Sequence, residues 1–354
     1  MLEQARSGET VNIAALGGSV TEGAGAQTAQ GGYAYRFADA FGEVYGTDGG
    51  SNINFVNAGL GGTSSSLGVI RYQRDVVEEL GAEPDLFILE FAVNDYGEVT
   101  GGRAYESLVY DVLSQDNDAA VILVFSVFQS KWNMQTDYIP VGNYYELPMV
   151  SIKNAVATPY LQGNLNDAKF FSDEYHPTTY GHTIMSDCIM QLIAEIDEEE
   201  ADEMNAVPET GRKALDFRRA EMITEESEGV AITKGSFTLT DSAIQYAAGK
   251  PSFPDNWKHD KTAGNESFTV TLNCKKFLLN YKTANGADFG EAEVYVDGEK
   301  VMTLQGRTAG GWNNSNVVLV IDEDTVAEHT IEVRMAEGQE DKAFTILALG
   351  YTKE

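Results

Sequence analysis

The sequence is poor in cysteine and has no long apolar run. Only Cys188 and Cys274 occur among 354 residues, and they fall in halves of different pattern, so we expect two reduced thiols and neither a disulfide framework nor a metal cluster. No stretch of about 18 apolar residues is present, which argues against a membrane-spanning helix. The opening residues lack the apolar core of a signal peptide, which favours a cytoplasmic protein; a leader removed earlier would instead indicate secretion.

Basic residues are also scarce. The chain has 24 Lys and Arg against 55 Asp and Glu, a formal net charge of −31, and residues 1–200 hold 29 of the acidic side chains but only 8 basic ones. Such a surface repels phosphate backbones and anionic membranes at long range, so we expect neither nucleic acid nor membrane as a partner. The charge favours neutral or cationic substrates, although it could serve solubility alone.

The hydrophobic pattern predicts two domains. The first, residues 1–198, alternates short runs that are apolar at nearly every position with longer helical stretches, which is typical of a parallel sheet covered on both faces. It is therefore expected to be a three-layer α/β/α domain. The predicted strands are 11–16, 53–57, 86–91 and 119–127, and the predicted helices are 33–44, 67–80, 104–113 and 179–196.

A run of acidic residues at 197–203 marks the end of this domain, because like charges cannot pack together. Residues 199–226 are expected to form an acidic boundary and linker. Residues 227–354 then show short strands of period two without helices, which predicts an all-β, jelly-roll-like sandwich. Its histidines, His259 and His329, are expected at the surface. The predicted strands are 230–239, 267–272, 277–282, 291–296, 317–321, 330–335 and 344–351.

A serine stands where the first predicted strand ends, in the segment Gly17-Gly18-Ser19. Open α/β sheets bind their ligands at the carboxyl ends of the strands. A glycine-flanked serine alone is weak evidence, since loops are rich in both residues, and Thr21 excludes the Gly-x-Ser-x-Gly elbow. A catalytic hydroxyl also needs a base and a third group that orients the base.

Four histidines occur, and one of them has a suitable neighbour. Asp173 precedes His176 by three residues, just before the last predicted helix, so a single turn of loop can bring the carboxylate to the imidazole. Pro177 restricts the loop's exit. The alternative is that this pair only caps the helix. His182 lies inside the predicted helix, and we interpret it as a packing or loop-anchoring residue.

Acyl transfer further requires hydrogen-bond donors for an oxyanion. The second predicted strand is followed by a glycine-rich segment at 57–64, and the third ends near Asn94. Either feature alone could serve only to form a turn. The informative observation is their order, because three successive strands each end in a residue type that the same mechanism needs.

This set resembles the SGNH (GDSL-like) hydrolase superfamily, whose four blocks contribute Ser, Gly, Asn and His in this chain order. Ser19 matches the first block, Gly62 the second with Gly61 as the neighbouring alternative, and Asn94 the third. Asp173 and His176 match the Asp-x-x-His of the last block.

Two positions depart from the family pattern. Gly18 stands where the family often has Asp, and Ala92 where many members have Gly. Neither change removes a catalytic group.

The resemblance implies a flavodoxin-like sheet and a serine esterase that needs no metal or cofactor. Ser19 would be the nucleophile and His176 the general base, with Asp173 orienting the imidazole. The backbone N–H groups of Ser19 and Gly62 and the side chain of Asn94 would hold the oxyanion.

The second domain resembles the carbohydrate-binding modules of polysaccharide-processing enzymes. Trp257 and Trp312 stand among polar turn residues, and Trp132 and Asn133 follow the fourth predicted strand, at the edge where ligands bind. Exposed indoles stack on sugar rings, and amides bond to sugar hydroxyls, so these four residues are candidate substrate contacts. The alternative for each tryptophan is core packing.

The sequence has no amphipathic insert that could form a lipase lid. This absence favours a substrate with a small acyl group. We therefore expect an esterase that removes acetyl groups from acetylated plant oligosaccharides of xylan or mannan type. One alternative is a general short-chain arylesterase or lysophospholipase. Another is a glycan-binding protein without catalytic activity.

Overall fold

The computed structural model describes residues 1–199 and 206–353 and divides the chain into two compact units, Met1–Leu215 and Asp216–Glu354. Residues 200–203 of the acidic run lie outside the described residues. Residues 216–226, expected in the linker, belong to the second unit. They do so because Glu221–Met222 forms a short strand that pairs with Tyr351 and Gly350.

The first unit is built on a five-stranded parallel sheet, flanked by helices. Numbered along the chain, the strands are β1 Val11–Gly17, β2 Ile53–Gly59, β3 Leu86–Glu90, β4 Ala120–Phe125 and β5 Met149–Ser151. Their order in the sheet, β2-β1-β3-β4-β5, is that of flavodoxin-like folds. The chain changes direction across the sheet between β1 and β3, where such folds bind ligands. The third strand is buried along its whole length, as its largely apolar pattern predicts, and its one charged residue, Glu90, is buried with it.

Helices of this unit contribute apolar side chains to its buried core. In the third helix, Tyr33, Phe37 and Phe41 recur every four residues and are fully buried. The Thr178 hydroxyl accepts the N–H of Gly181 at 3.0 Å and so caps the last helix. The helices are α1 Leu2–Ser7, α2 Ser19–Glu22, α3 Tyr33–Tyr45, α4 Ser65–Tyr72 with a π-helical extension Gln73–Glu78, α5 Arg103–Leu113, α6 Gln135–Tyr144, α7 Ile152–Leu161, α8 Asp167–Phe170 and α9 Thr179–Glu198.

Among the described residues, none of these helices is both long enough and apolar enough to cross a bilayer.

The second unit is an antiparallel β-sandwich with its own apolar core. Two strands that the sequence pattern predicts as separate pieces are continuous, namely Phe268–Ala284 and Trp312–Met335. In the strand Phe268–Ala284 the pairing shifts between Cys274 and Lys276. Before this shift the strand pairs with Ala231–Thr233, and after it with Thr345–Thr352. The strands are β6 Glu221–Met222, β7 Ala231–Thr233, β8 Tyr246–Ala247, β9 Lys250–Pro251, β10 Trp257–Lys258, β11 Phe268–Ala284, β12 Glu291–Val296, β13 Glu299–Gln305, β14 Trp312–Met335 and β15 Thr345–Thr352.

The histidines of the sandwich are buried, so the expectation that they lie at the surface is wrong. The ring of His259 contacts the carbonyl oxygens of Lys342 at 2.8 Å and Gly264 at 3.0 Å. His329 lies 2.8 Å from a carboxylate oxygen of Asp297. Both imidazoles satisfy polar groups within the fold, which a sequence pattern does not reveal. Both cysteines are free thiols, as expected.

Candidate active site

Ser19 lies at the carboxyl end of β1 and begins the one-turn helix α2. The end of β1 is fixed by two hydrogen bonds to the Gly17 carbonyl oxygen, from the Leu60 N–H and from the buried Arg71 guanidinium, each at 3.1 Å. The hydroxyl of Ser19 therefore lies at the end of an interior strand of the sheet and beside the switch point, where a ligand can reach it.

The structure brings Ser19, His176 and Asp173 into one hydrogen-bonded chain. The Nε2 atom of His176 is 3.0 Å from the Ser19 Oγ atom, and its Nδ1 atom is 2.9 Å from the Asp173 Oδ2 atom. This is the connectivity in which a base can take the hydroxyl proton while a carboxylate fixes its tautomer.

The Asp173 carboxylate is held in its charged form. Its Oδ1 atom accepts the backbone N–H groups of Tyr175 at 2.8 Å and of His176 at 2.9 Å. Burial opposes ionisation, but the hydrogen bonds from the His176 ring and these two N–H groups outweigh it and lower the pKa of Asp173 below its usual range. The carboxylate thus remains ionised as the pH falls below the ordinary pKa of an aspartate.

The loop that carries His176 is closed on itself. The N–H of Ser172 donates to the His176 carbonyl oxygen at 2.9 Å, and the Ser172 hydroxyl donates to the same oxygen at 3.1 Å. Phe171 and Pro177 form a β-bridge on either side of this turn. The imidazole is therefore presented by a short, rigid loop rather than by the helix that follows it.

His182 anchors the segment after Ser19, which confirms its interpretation as a loop-anchoring residue. It is fully buried, its Nδ1 atom accepts the Tyr33 N–H at 3.2 Å, and its Nε2 atom donates to the Ala24 carbonyl oxygen at 3.0 Å. Burial lowers the pKa of His182 to about 4. The ring is neutral at physiological pH and is occupied by backbone groups.

The glycine-rich loop after β2 runs beside the serine turn. The Asn57 amide donates to the Thr21 carbonyl oxygen at 2.8 Å. The N–H of Gly61 donates to the carboxylate of Glu22, so this donor is already engaged. Gly62 is exposed and has a φ of +66°, a conformation that favours glycine. Of the two glycines left open by the sequence, Gly62 is the better candidate for an oxyanion donor.

Asn94 lies against the residue that precedes the serine. A Cβ atom added to Gly18 would be 2.1 Å from the Asn94 Oδ1 atom and 2.5 Å from its Cγ atom. Within the described part of the chain, this Oδ1 atom is buried without a hydrogen-bond partner. The amide of the third block therefore meets the serine turn of the first block in direct contact.

The four predicted substrate contacts have different surroundings. Trp132 is partly buried and its ring touches other aromatic rings of the first unit. The Asn133 amide instead donates to the Ser126 carbonyl oxygen at 2.8 Å, so it closes its own loop. Trp257 is only 5% exposed and packs on Phe268 in the sandwich core, which corrects its assignment as a sugar contact.

Trp312, the fourth of these residues, is 56% exposed on the second unit. Its role in substrate binding remains a prediction.

Sequence reasoning overlooked several groups beside the site. Tyr96 follows Asn94 by two residues, and Tyr175 directly precedes His176; both rings are exposed. Asp95 is buried, and its carboxylate accepts the Ser65 N–H and the Tyr138 hydroxyl. In the sequence, the one indication that these residues lie near the site is their position next to Asn94 or His176.

Comparison with known proteins relates the chain to a family of hydrolases. Residues 15–184 match the model of the GDSL-like Lipase/Acylhydrolase family. A crystal structure of a two-domain esterase (CEX) active on acetylated mannans is similar over 100% of this chain and 94% of its own, with 25% identity and a TM-score of 0.82.

The same esterase co-crystallised with mannopentaose is similar over 100% of this chain and 93% of its own, with 24% identity and a TM-score of 0.82. A comparison with curated protein sequences finds no match. Residues 15–184 thus form a GDSL-like lipase/acylhydrolase domain, and the protein is a carboxylic ester hydrolase of the SGNH type.

Proposed function

We propose that the protein removes acetyl groups from acetylated oligosaccharides of mannan type through an acyl-enzyme on Ser19. The observation that carries the proposal is the 3.0 Å contact between the Ser19 hydroxyl and a His176 ring whose other nitrogen is bonded to Asp173. The substrate class is supported by the whole-chain likeness to a two-domain esterase active on acetylated mannans. Of the xylan and mannan substrates expected from the sequence, this likeness favours mannan.

In the proposed mechanism, the Ser19 oxygen attacks the ester carbonyl carbon while His176 takes its proton. The N–H groups of Ser19 and Gly62 and the amide of Asn94 stabilise the oxyanion, and Asp173 stabilises the imidazolium. His176 then protonates the departing sugar oxygen, which leaves acetyl bound to Ser19. Water, deprotonated by His176, attacks this ester, releases acetate and regenerates the hydroxyl.

The decisive measurement is acetate release from acetylated mannan, acetylated xylan, acetylated pectin and an aryl acetate, compared with fatty-acid release from a long-chain ester. We expect the mannan to be deacetylated most efficiently. Ser19→Ala should lower kcat by about 10³-fold or more, because the nucleophile is lost. Ser51→Ala, which removes an exposed hydroxyl near the opposite, amino-terminal end of β1, serves as the matched control and should retain wild-type activity.

Three outcomes would contradict the proposal. Activity on the long-chain ester alone would indicate a lipase, and activity on aryl esters alone a general arylesterase. A wild-type protein that resists labelling by a fluorophosphonate, and binds mannan without releasing acetate, would be a glycan-binding protein.

A further inference from the structure

Four aromatic side chains form a continuous row beside the candidate triad. The ring of Tyr175 meets Phe128 at a centroid distance of 5.2 Å, Phe128 meets Trp132 at 5.7 Å, and Trp132 meets Tyr96 at 5.8 Å. We call these residues, Tyr96, Phe128, Trp132 and Tyr175, the aromatic platform. Its two ends are attached to the segments that carry Asn94 and His176.

The aromatic platform is partly exposed to solvent, unlike the aromatic residues of a hydrophobic core. Tyr96 is 81% exposed and Tyr175 is 52% exposed, whereas Phe128 and Trp132 are half-buried between them. Exposed apolar side chains usually stand alone at a protein surface, and contiguous exposed groups mark binding sites. A contiguous row of exposed rings that ends next to His176 is therefore a candidate binding surface.

The loop that holds the central rings is fixed to both catalytic segments. The N–H of Phe128 donates to the Trp132 carbonyl oxygen at 3.1 Å, which closes the loop. The Gln129 N–H donates to the Glu174 carbonyl oxygen at 3.0 Å, and the Met134 N–H donates to the Ala92 carbonyl oxygen at 2.8 Å. The loop is thus bonded to the His176 segment on one side and to the Asn94 segment on the other, so its rings are preorganised for a ligand.

We infer that the aromatic platform binds the sugar residues of the alcohol half of the ester, an inference that rests on the function proposed above. The departing oxygen must lie beside His176, since this residue returns the proton to it. The platform begins at Tyr175, the neighbour of His176, and so receives the group attached to that oxygen. Flat rings with polar tips can cover the apolar face of a neutral pyranose, while the acidic first unit disfavours an anionic one.

The test compares two substrates and uses variants that remove or keep a ring. For Trp132→Ala and Tyr96→Ala, the ratio of kcat/KM on acetylated mannooligosaccharide to kcat/KM on ethyl acetate should fall about fivefold or more, through KM, because stacking is felt equally before and during the reaction. Trp132→Phe and Tyr96→Phe keep a ring and should restore most of the ratio. Ethyl acetate has no ring to stack and reports the catalytic groups alone.

A binding measurement separates this inference from the proposed function. Unacetylated mannopentaose should inhibit ethyl acetate hydrolysis competitively, with an inhibition constant that rises at least fivefold in Trp132→Ala. An unchanged substrate ratio and inhibition constant in both alanine variants would overturn the platform, as would an equal loss on both substrates. If the wild type hydrolyses ethyl acetate but releases no acetate from any oligosaccharide, the proposed function fails instead.

Discussion

At the scale of single residues, the structure explains why glycine stands at position 18, where the family often has aspartate. The position in front of the serine is filled by the Asn94 amide, whose Oδ1 atom lies 2.1 Å from where a Cβ atom would stand. An aspartate at this position would displace the amide. The departure at Gly18 and the placement of Asn94 are therefore one structural feature, formed by residues 76 positions apart in the chain.

Gly18→Ala should lower kcat by about tenfold or more with little change in KM. The added methyl group displaces Asn94, and an oxyanion donor that moves weakens the transition state rather than substrate binding. Steady-state kinetics on an acetyl ester measures the effect. Gly310→Ala is the control, since a Cβ atom there meets nothing within 4 Å. Wild-type kcat in Gly18→Ala would show that Asn94 is not held by this contact.

The nucleophile, the base and its carboxylate could be proposed from sequence because the spacing of Asp173 and His176 carries the chemistry locally. The environment of a side chain is not local. Trp257 stands among polar residues in the sequence, but it packs on Phe268 and lies in a strand that pairs with Ile346, 89 positions along the chain. Tyr96 and Tyr175 belong to one surface only because two loops meet, and the spacing of residues in the sequence does not predict this meeting.

At the scale of secondary-structure elements, Asp95 ties together three of them. It follows β3, its Oδ1 atom accepts the Ser65 N–H at the start of α4 at 2.8 Å, and its Oδ2 atom accepts the Tyr138 hydroxyl of α6 at 2.5 Å. Burial raises the pKa of Asp95 to about 7, although these hydrogen bonds oppose the shift. The residue after Asn94 therefore fixes the strand end that carries the amide proposed to hold the oxyanion.

This raised pKa makes a stability prediction with a definite sign. Between about pH 4 and pH 7 the folded protein binds the Asp95 proton more tightly than the unfolded chain does. Asp95 therefore makes the free energy of unfolding fall with rising pH, by up to about 1.4 kcal/mol per pH unit. In Asp95→Asn this contribution is absent, so the stability of the variant relative to wild type should improve as the pH rises from 4.5 to 7.

Urea unfolding at several pH values, followed by hydrogen exchange of the β3 amides, measures this difference in the first unit. Asp39→Asn removes the charge of an exposed carboxylate of α3 and is the control. If Asp95→Asn behaves like this control, Asp95 is ionised throughout the range and its pKa is not raised.

Elements with a strong periodic pattern were predictable, and short or bent ones were not. The predicted helix 33–44 corresponds to Tyr33–Tyr45, because its apolar face repeats every four residues. The strand Met149–Ser151 was missed, since three residues show no period. Strand Phe268–Ala284 was divided in two because the bulge near Cys274 interrupts the alternation of side chains.

At the scale of the whole molecule, the chain places a hydrolase fold and a β-sandwich in units that each bury a separate core. The change from helical to strand-only patterning predicted this organisation well. The boundary was harder to place, because the segment from Asp216 looks like linker in composition yet supplies a strand to the sandwich. Edge strands as short as Glu221–Met222 are defined by their partner rather than by their own residues.

The net charge of −31 predicts how the enzyme selects among esters as salt is varied. An acidic surface repels an anionic substrate over about 30 Å at 10 mM salt but over less than 10 Å at 300 mM. For an acetylated oligogalacturonide, kcat/KM should therefore rise about threefold or more across this range. For the neutral acetylated mannooligosaccharide and for ethyl acetate it should change by less than about twofold. Equal salt responses would mean that the charge serves solubility and does not reach the site.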